Sequence, residues 1–531
     1  MPLLLSRLSE NGVTWPSQGL VLYIIGLLLF AHSIQRVRRW YRLSHVPGPL
    51  IAGWTNMWLT KGYISGRFFM ELPALVEKYG PVIRIAPNQV VCVDVDTLYR
   101  ISGVRSLYRK SEWYTIARIS RDGDHIFTII DPEERKERKK FIMPAYAGRD
   151  IDHFEEGTDR ALTDWMELID TKYLSSTKQA RFMNFEEKVH FYALDAIGEI
   201  AYSESFGCVK EDRDTKGVMA VNDVTVPLLM AISNYVAFWK MMRMWPFYYL
   251  LPHDGDNSGF GAIVGHASTI VRKRLQPKAV PKHDMLQSFI EQGLRDEEAL
   301  KQEVGIQFFA GSDTVSSLLY TTFLLLLTHP SVYARLQSEI DTALASDPIT
   351  TPPRIITDAQ ARSIPYLQAI IREGLRLFPP LCAPPIYKEV PTGGDDVCGY
   401  ALPAGTLVAT ALQQWHGARD KSFWGQDADA FRPERWLEAA AADEKEGPRA
   451  RRVWEMTRRM ELAFGCGQYV CVGKAIAMVE AGKVLGELVR RYNWSLAKPL
   501  DPPKVTNNGV WAIRNFWVRV EKREGFPTAG Q

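Results

Sequence analysis

The stretch Phe464-Gly-Cys-Gly-Gln-Tyr-Val-Cys471-Val-Gly473-Lys-Ala475 carries the reading of this chain. Gly465 and Gly467 allow a tight loop whose backbone other residues resist. Cys471 is then expected to open a helix running from about Val472 to Arg491, where free N–H groups and the helix dipole favour a thiolate. Gly473 permits close approach of a flat ligand or of another backbone.

A thiolate held this way is a strong axial donor to haem iron. On these residues alone two other readings stay open. Cys471 could be a buried structural cysteine, or Cys466 and Cys471 could form a metal pair. No second pair accompanies them, which makes a zinc site a weak reading. Cys92, Cys208, Cys382 and Cys398 are scattered along 531 residues. They make no disulfide framework and suit a reducing compartment.

Three further motifs lie upstream: Ala310-Gly311-Ser312-Asp313-Thr314, Glu373-Gly-Leu-Arg376 and Phe431-Arg-Pro433-Glu-Arg435-Trp436. With the cysteine loop they resemble, in order and spacing, the signature set of the cytochrome P450 family. The resemblance covers essentially the whole chain after residue 45. The N-terminal apolar run and the proline hinge resemble the microsomal eukaryotic branch. Lys110-Ser-Glu-Trp113, Asp131-Pro-Glu-Glu134 and Gly473-Lys474 resemble fungal members.

The resemblance implies haem b (iron protoporphyrin IX) on Cys471, with Phe464, Gly473, Ala310 and Gly311 around it. It implies that Glu373, Arg376 and Arg435 form a buried structural triad. Asp313 and Thr314 sit mid-helix, a poor place for both by propensity. Thr314 could simply bond back to a carbonyl while Asp313 faces water. The resemblance points instead to a local opening of the helix, where hydroxyl and carboxylate pass protons to iron-bound oxygen. Arg135 and Lys139, about one helical turn apart, resemble the propionate-binding pair, and Lys388 matches a position usually held by arginine. Arg138 and Lys140 read as a solvated basic face or as part of a surface for a reductase. Candidate substrate contacts are Phe308, Leu381, Cys382, Ala383, Val510 and Trp511, each equally readable as core.

The implied activity is monooxygenation of a small lipophilic molecule, a fungal secondary metabolite, using O2. Electrons would come from NADPH through a separate NADPH-cytochrome P450 reductase, with cytochrome b5 as an optional donor. The rivals are an isomerase or dehydratase of the same fold and a non-catalytic membrane haem protein.

Composition fits a globular chain, with 46% hydrophobic and 24% charged residues. A net charge of +3 is too small to imply nucleic acid. No charged residue lies between Glu10 and Arg36, and Gly19–Ala31 is strongly apolar. That gap can cross about 30 Å of hydrocarbon. Trp15, Trp40 and Tyr41 flank it, and Arg36, Arg38, Arg39 and Arg42 follow it, placing the rest of the chain in the cytosol. The expectation is a single N-terminal transmembrane helix in the endoplasmic reticulum membrane. Residues 1–45 would be anchor and basic linker, and residues 46–531 one haem domain beyond the Val46-Pro47-Gly48-Pro49 turn.

The fold is expected to be mainly α with a minor β portion. Helices are predicted from about Glu297 to Thr328, from a Ser331 cap to Leu344, and from Pro365 to Phe378. Val82–Ala86 and Val90–Asp94 read as a hairpin. Thr406–Thr410 and Trp517–Glu521 read as edge strands.

Overall fold

The computed structural model describes residues 18–120, 123–148, 154–256, 259–345, 355–382, 386–410, 417–447 and 451–524. Helices dominate and strands form a smaller share. The centre is the helix Glu297–Thr328, 32 residues long. Asp296 caps it, accepting from the Ala299 N–H at 2.7 Å. His329-Pro330 ends it, because proline disfavours helix at the residue before it. Its side chains are buried nearly all round, as befits a core helix. It packs against the helices Phe185–Tyr202, Gly259–Arg274, Pro365–Leu377 and Lys474–Arg491. Gly311 makes one of these approaches possible: a Cβ there would lie 2.8 Å from Ile197 Cγ1.

The next helix is Pro330–Leu344, with Pro330 in its first turn. Ser331 does not cap it; the residue before it is His329, which makes no side-chain cap bond. The helix Pro365–Leu377 stops at Phe378, just before Pro379.

Five strands make one sheet, in the order Val82–Ala86, Gln89–Cys92, Leu407–Ala409, Tyr387–Glu389, Arg109–Lys110. Trp517–Lys522 sits inside a second sheet, between Tyr492–Leu496 and the short strands Leu174–Ser175 and Phe182–Asn184. The two strands expected at edges are therefore interior. Leu407–Ala409 takes Gln89–Cys92 on one side and Tyr387–Glu389 on the other. Lys504–Asn507 and Trp511–Arg514 form a separate hairpin near the C-terminus.

The N-terminal helix Gln18–Arg42 has 25 residues. Leu22, Tyr23, Leu29, Phe30 and Val37 on it are exposed, with no protein to cover them. Trp15 lies outside the described residues. Its C-terminal end is fastened to the first sheet by Arg84, which donates to the carbonyls of Trp40 at 3.0 Å, Arg39 at 3.1 Å and Pro87 at 2.8 Å. Trp40 stacks on Trp54, centroids 5.2 Å apart. The proline turn joins the same corner, the Arg84 N–H donating to the Pro47 carbonyl at 2.7 Å. Among the described residues only Glu297–Thr328 is both long and apolar enough to cross a membrane by composition, and most of it is buried inside the protein.

Candidate functional site: a cysteine loop facing a cluster of cations

The cysteine loop closes on itself where the Cys471 N–H donates to the Phe464 carbonyl at 2.6 Å. Gly467 has φ +60, and a Cβ on it would meet the Ser102 carbonyl at 2.0 Å, so only glycine fits. The following helix begins at Lys474, three residues later than Cys471. Cys471 thus does not open the helix itself. The backbone N–H groups of Gly473 and Lys474 nonetheless lie beside its sulfur. Burial raises the thiol above its ordinary value, and those N–H groups and the Lys474 ammonium pull it down. The residue is nevertheless open at its surface. Nothing lies within 4 Å of where a Gly473 side chain would begin. Cys466 points elsewhere: it is buried, with its thiol toward the Leu98 carbonyl at 3.6 Å. The two cysteines therefore do not converge. Among the described residues no three His, Cys, Asp or Glu side chains gather where they could hold a metal ion.

Four cations meet beside the loop. Asp131 caps the helix Pro132–Tyr146, accepting from the N–H groups of Glu133 at 3.0 Å and Glu134 at 2.9 Å. That start sets Arg135 and Lys139 on one face, and both donate to the Gln468 carbonyl, at 2.9 and 3.1 Å. Lys388 donates to the Tyr114 hydroxyl at 3.0 Å and stands 3.1 Å from the Tyr469 ring centre. Lys110 pairs directly across the sheet with Lys388 and donates to the carbonyls of Ile126 and Phe127, at 3.1 and 2.7 Å. Both lysines are buried. Burial first, then neighbouring cations, hold them well below the usual lysine value, and Lys139 is lowered to about 8 by the same causes. Like charges opposite one another destabilise a sheet. Among the described residues none of the four forms an ion pair with a carboxylate, and the buried Arg135 Nε has no partner. This donor set fits the carboxylates of a haem. Arg138 is not solvated: it pairs at 2.8 Å with the buried Glu303, whose carboxyl burial pushes up to about 7. Lys140 pairs with Glu137 at the surface, at 2.5 Å.

Behind the loop, Arg376 grips both oxygens of Glu373, at 2.7 and 2.9 Å. Arg435 adds a bond at 2.9 Å to the same carboxylate, and Trp436 Nε1 another at 2.9 Å. Arg376 also reaches the carbonyls of Ala418, Ala428 and Ala430. The cluster is fully hydrogen-bonded and ties the helices Pro365–Leu377 and Glu434–Glu446 together.

On the long helix, Ala310 is exposed although most of the helix is buried. The Cβ direction of Gly311 points toward Ile197, so the glycine lets these two helices pack closely. The Thr314 hydroxyl donates to the Ala310 carbonyl at 2.8 Å, and the helix runs through this point unbroken. The expected local opening is not seen. Asp313 does not face bulk water either. It accepts from Asn222 Nδ2 at 2.9 Å and lies 4.0 Å from His190 Nε2. Burial raises its carboxyl above the ordinary range, against the pull of His190 and Asn222. Asp313 borders a cavity of about 210 Å3 that Val510 and Trp511 also line. Phe308 is not there. It is core, packed edge-on against Tyr202 and Phe206. Cys382 is also core, accepting from Asn507 at 3.3 Å. Leu381 is half-buried beside it, and Ala383 lies outside the described residues.

The family model for cytochrome P450 matches residues 46–517. The chain belongs to the cytochrome P450 family. Among curated relatives, the cytochrome P450 monooxygenase aba1 of Botryotinia fuckeliana is 33% identical over 91% of this chain and 92% of its own. The cytochrome P450 monooxygenase ABA1 of Pyricularia oryzae is 33% identical over 91% and 93%. The cytochrome P450 monooxygenase abl1 of Leptosphaeria maculans is 31% identical over 95% and 87%. This P450 is a monooxygenase. Its reading from sequence passed over Lys110, Tyr114, Trp436, Asn222 and His190. Lys110 carried a local signal, since it opens the fungal-like Lys110–Trp113 stretch. Trp436 likewise closes the Phe431–Trp436 motif, whereas Tyr114, Asn222 and His190 act through long-range contacts that leave no local pattern.

Proposed function

We propose that this P450 binds haem b through the Cys471 thiolate and oxidises a small lipophilic secondary metabolite with O2. The observation that carries this reading is the juxtaposition of an open Cys471 with four cations that, among the described residues, pair with no carboxylate. Bound haem would supply oxygen activation; the protein supplies position, charge and exclusion of water. Arg135, Lys139, Lys110 and Lys388 would bind the propionates. Gly473 would let the ring lie close to the loop. Thr314 would pass a hydroxyl proton at the long helix, with the Asp313 carboxyl group one residue before it as its partner. Glu373, Arg376 and Arg435 keep the loop in place and touch no reacting atom.

Electrons would come from NADPH through a separate reductase, with cytochrome b5 as an optional donor. The helix Gln18–Arg42 would anchor the protein in the endoplasmic reticulum membrane, residues 46–531 lying on the cytosolic side as one haem domain. Its uncovered apolar side chains and trailing arginines support that placement. Homology to fungal monooxygenases supports the metabolite class.

The test is the reduced, carbon monoxide-bound spectrum of wild type beside Cys471→Ala and Cys466→Ala. The thiolate–haem band is expected in wild type and Cys466→Ala and absent in Cys471→Ala. A band lost only in Cys466→Ala would overturn the assignment.

A further inference from the structure

The cavity beside Asp313 is walled by ionisable groups that the reaction proposed above leaves without a task. His190 and Glu186 reach it from the helix Phe185–Tyr202, Asn222 and Asp223 from the helix Val218–Ile232, and Arg514 from the strand Trp511–Arg514. Arg514 donates to Glu186 at 2.9 Å and to Asp223 at 2.5 Å, so one guanidinium joins three elements. Its side chain is 47% exposed whereas that of Glu186 is 5% exposed, which makes Arg514 the outer wall. On the inner side, the His190 Nδ1–H donates to the Glu186 carbonyl at 3.0 Å. That bond leaves Nε2 of the neutral ring as the acceptor turned toward Asp313. The 4.0 Å between Nε2 and Asp313 Oδ1 is a span that one water bridges. The Tyr320 ring lies 5.6 Å from the imidazole, but its hydroxyl donates to the Trp511 carbonyl. Two buried acceptors, Asn222 Oδ1 and Asn508 Oδ1, have no partner among the described residues. Both residues line the cavity. A polar cavity of this size with unsatisfied acceptors holds ordered water.

We propose that this cavity is the proton inlet of the enzyme, gated by Arg514, with His190 restoring the proton of Asp313. A hydronium admitted past the Arg514 bridge gives its proton to His190 Nε2. The imidazolium then gives that proton, directly or across one water, to the Asp313 carboxylate left after the carboxyl has donated inward. The N–H bond formed on Nε2 breaks as the O–H bond forms on Asp313, so His190 returns to its neutral state each turnover. The groups facing His190 are Glu186 on its own helix, Asp313 and Tyr320 on the long helix, Asn222 and Asp223 on the helix Val218–Ile232, and Arg514 on the hairpin. His190 is thus a positioning and relay residue, acting on the reaction through Asp313. The inference rests on reading Asp313 and Thr314 as the proton-handling pair.

The test uses the haem-loaded full chain. Infrared difference spectra locate the Asp313 carboxyl band, assigned by its loss in Asp313→Asn, and the rate of its exchange on transfer to D2O is followed. His190→Gln is expected to slow that exchange tenfold or more with the carbon monoxide band unchanged. It should also enlarge the solvent isotope effect on product formation. Arg514→Gln, at the surface, is expected to speed exchange several-fold. Exchange at the wild-type rate in both variants overturns the inlet while leaving the monooxygenase assignment intact. Should His190→Gln bind no haem, Arg514→Gln alone decides, and a wild-type rate there overturns the proposal. A wild type without the thiolate–haem band would instead overturn the assignment on which the proposal stands.

Discussion

Glu373 offers one carboxylate oxygen to Arg376 Nε at 2.9 Å and the other to its Nη2 at 2.7 Å, with both side chains fully buried. Removing either partner strands a charge in the core. Glu373→Ala or Arg376→Ala is expected to cost about 3–5 kcal/mol, measured by urea unfolding. Arg376→Lys should lose a comparable amount, because a lysine cannot bridge two oxygens and the surrounding carbonyls at once.

Lys110 and Lys388 face each other across the strands Arg109–Lys110 and Tyr387–Glu389. Without an anion between them they oppose folding. Lys388→Met is therefore expected to stabilise the apoprotein by about 1 kcal/mol and yet to release haem several-fold faster. Stopped-flow transfer of haem to an acceptor globin, beside apoprotein melting, reads both signs. A Met variant that loses stability and keeps haem would show that the lysines serve the sheet.

Gly311 and Ile197 set the spacing of two core helices. Gly311→Ala places a methyl 2.8 Å from Ile197 Cγ1, an overpacking cost of about 1–3 kcal/mol partly offset by about 1 kcal/mol of helix propensity. The double variant Gly311→Ala/Ile197→Ala should be more stable than the two single changes added together. The carbon monoxide band should not move, since the added methyl points away from the loop.

Glu480 is buried in the helix Lys474–Arg491, and burial pushes its carboxyl from 4.5 up to about 8. The unfolded chain loses this proton near 4.5 and the folded protein keeps it to about 8. The stabilisation is thus complete below the lower value and is lost as pH rises between the two, by up to about 1.4 kcal/mol per pH unit. Glu480→Gln should flatten that part of the stability–pH curve, followed by denaturant midpoints from pH 5 to 8. An unchanged slope in Glu480→Gln would assign the dependence to another group.

Much of this molecule could be read locally. The long helix announced its stop at His329-Pro330, whereas the Asp296 cap at its start emerges only in the structure. The cysteine loop showed its glycines, and Glu373 and Arg376 share a helix face by spacing alone. What escaped depends on partners far away in the chain. Leu407–Ala409 was taken for an edge because its pairing with Gln89–Val91 spans more than 300 residues. Gly311 sits in the Ala310–Thr314 motif and Phe308 just before it, but helical rotation sends them toward Ile197 and Phe206. The Thr314 hydroxyl bonds back to the Ala310 carbonyl, a contact within its own helix. Composition cannot tell a motif residue that faces a ligand from its neighbour that faces the next helix. Lys110 acquires meaning only once the sheet puts it opposite Lys388.

The N–H groups that lie beside the Cys471 sulfur belong to the main chain of Gly473 and Lys474. Almost any side-chain substitution leaves such donors in place; only proline would delete one. The donors beside the Cys471 sulfur are thereby insulated from genetic drift. A lineage built on this loop can vary its side chains elsewhere without disturbing the main-chain donors around Cys471.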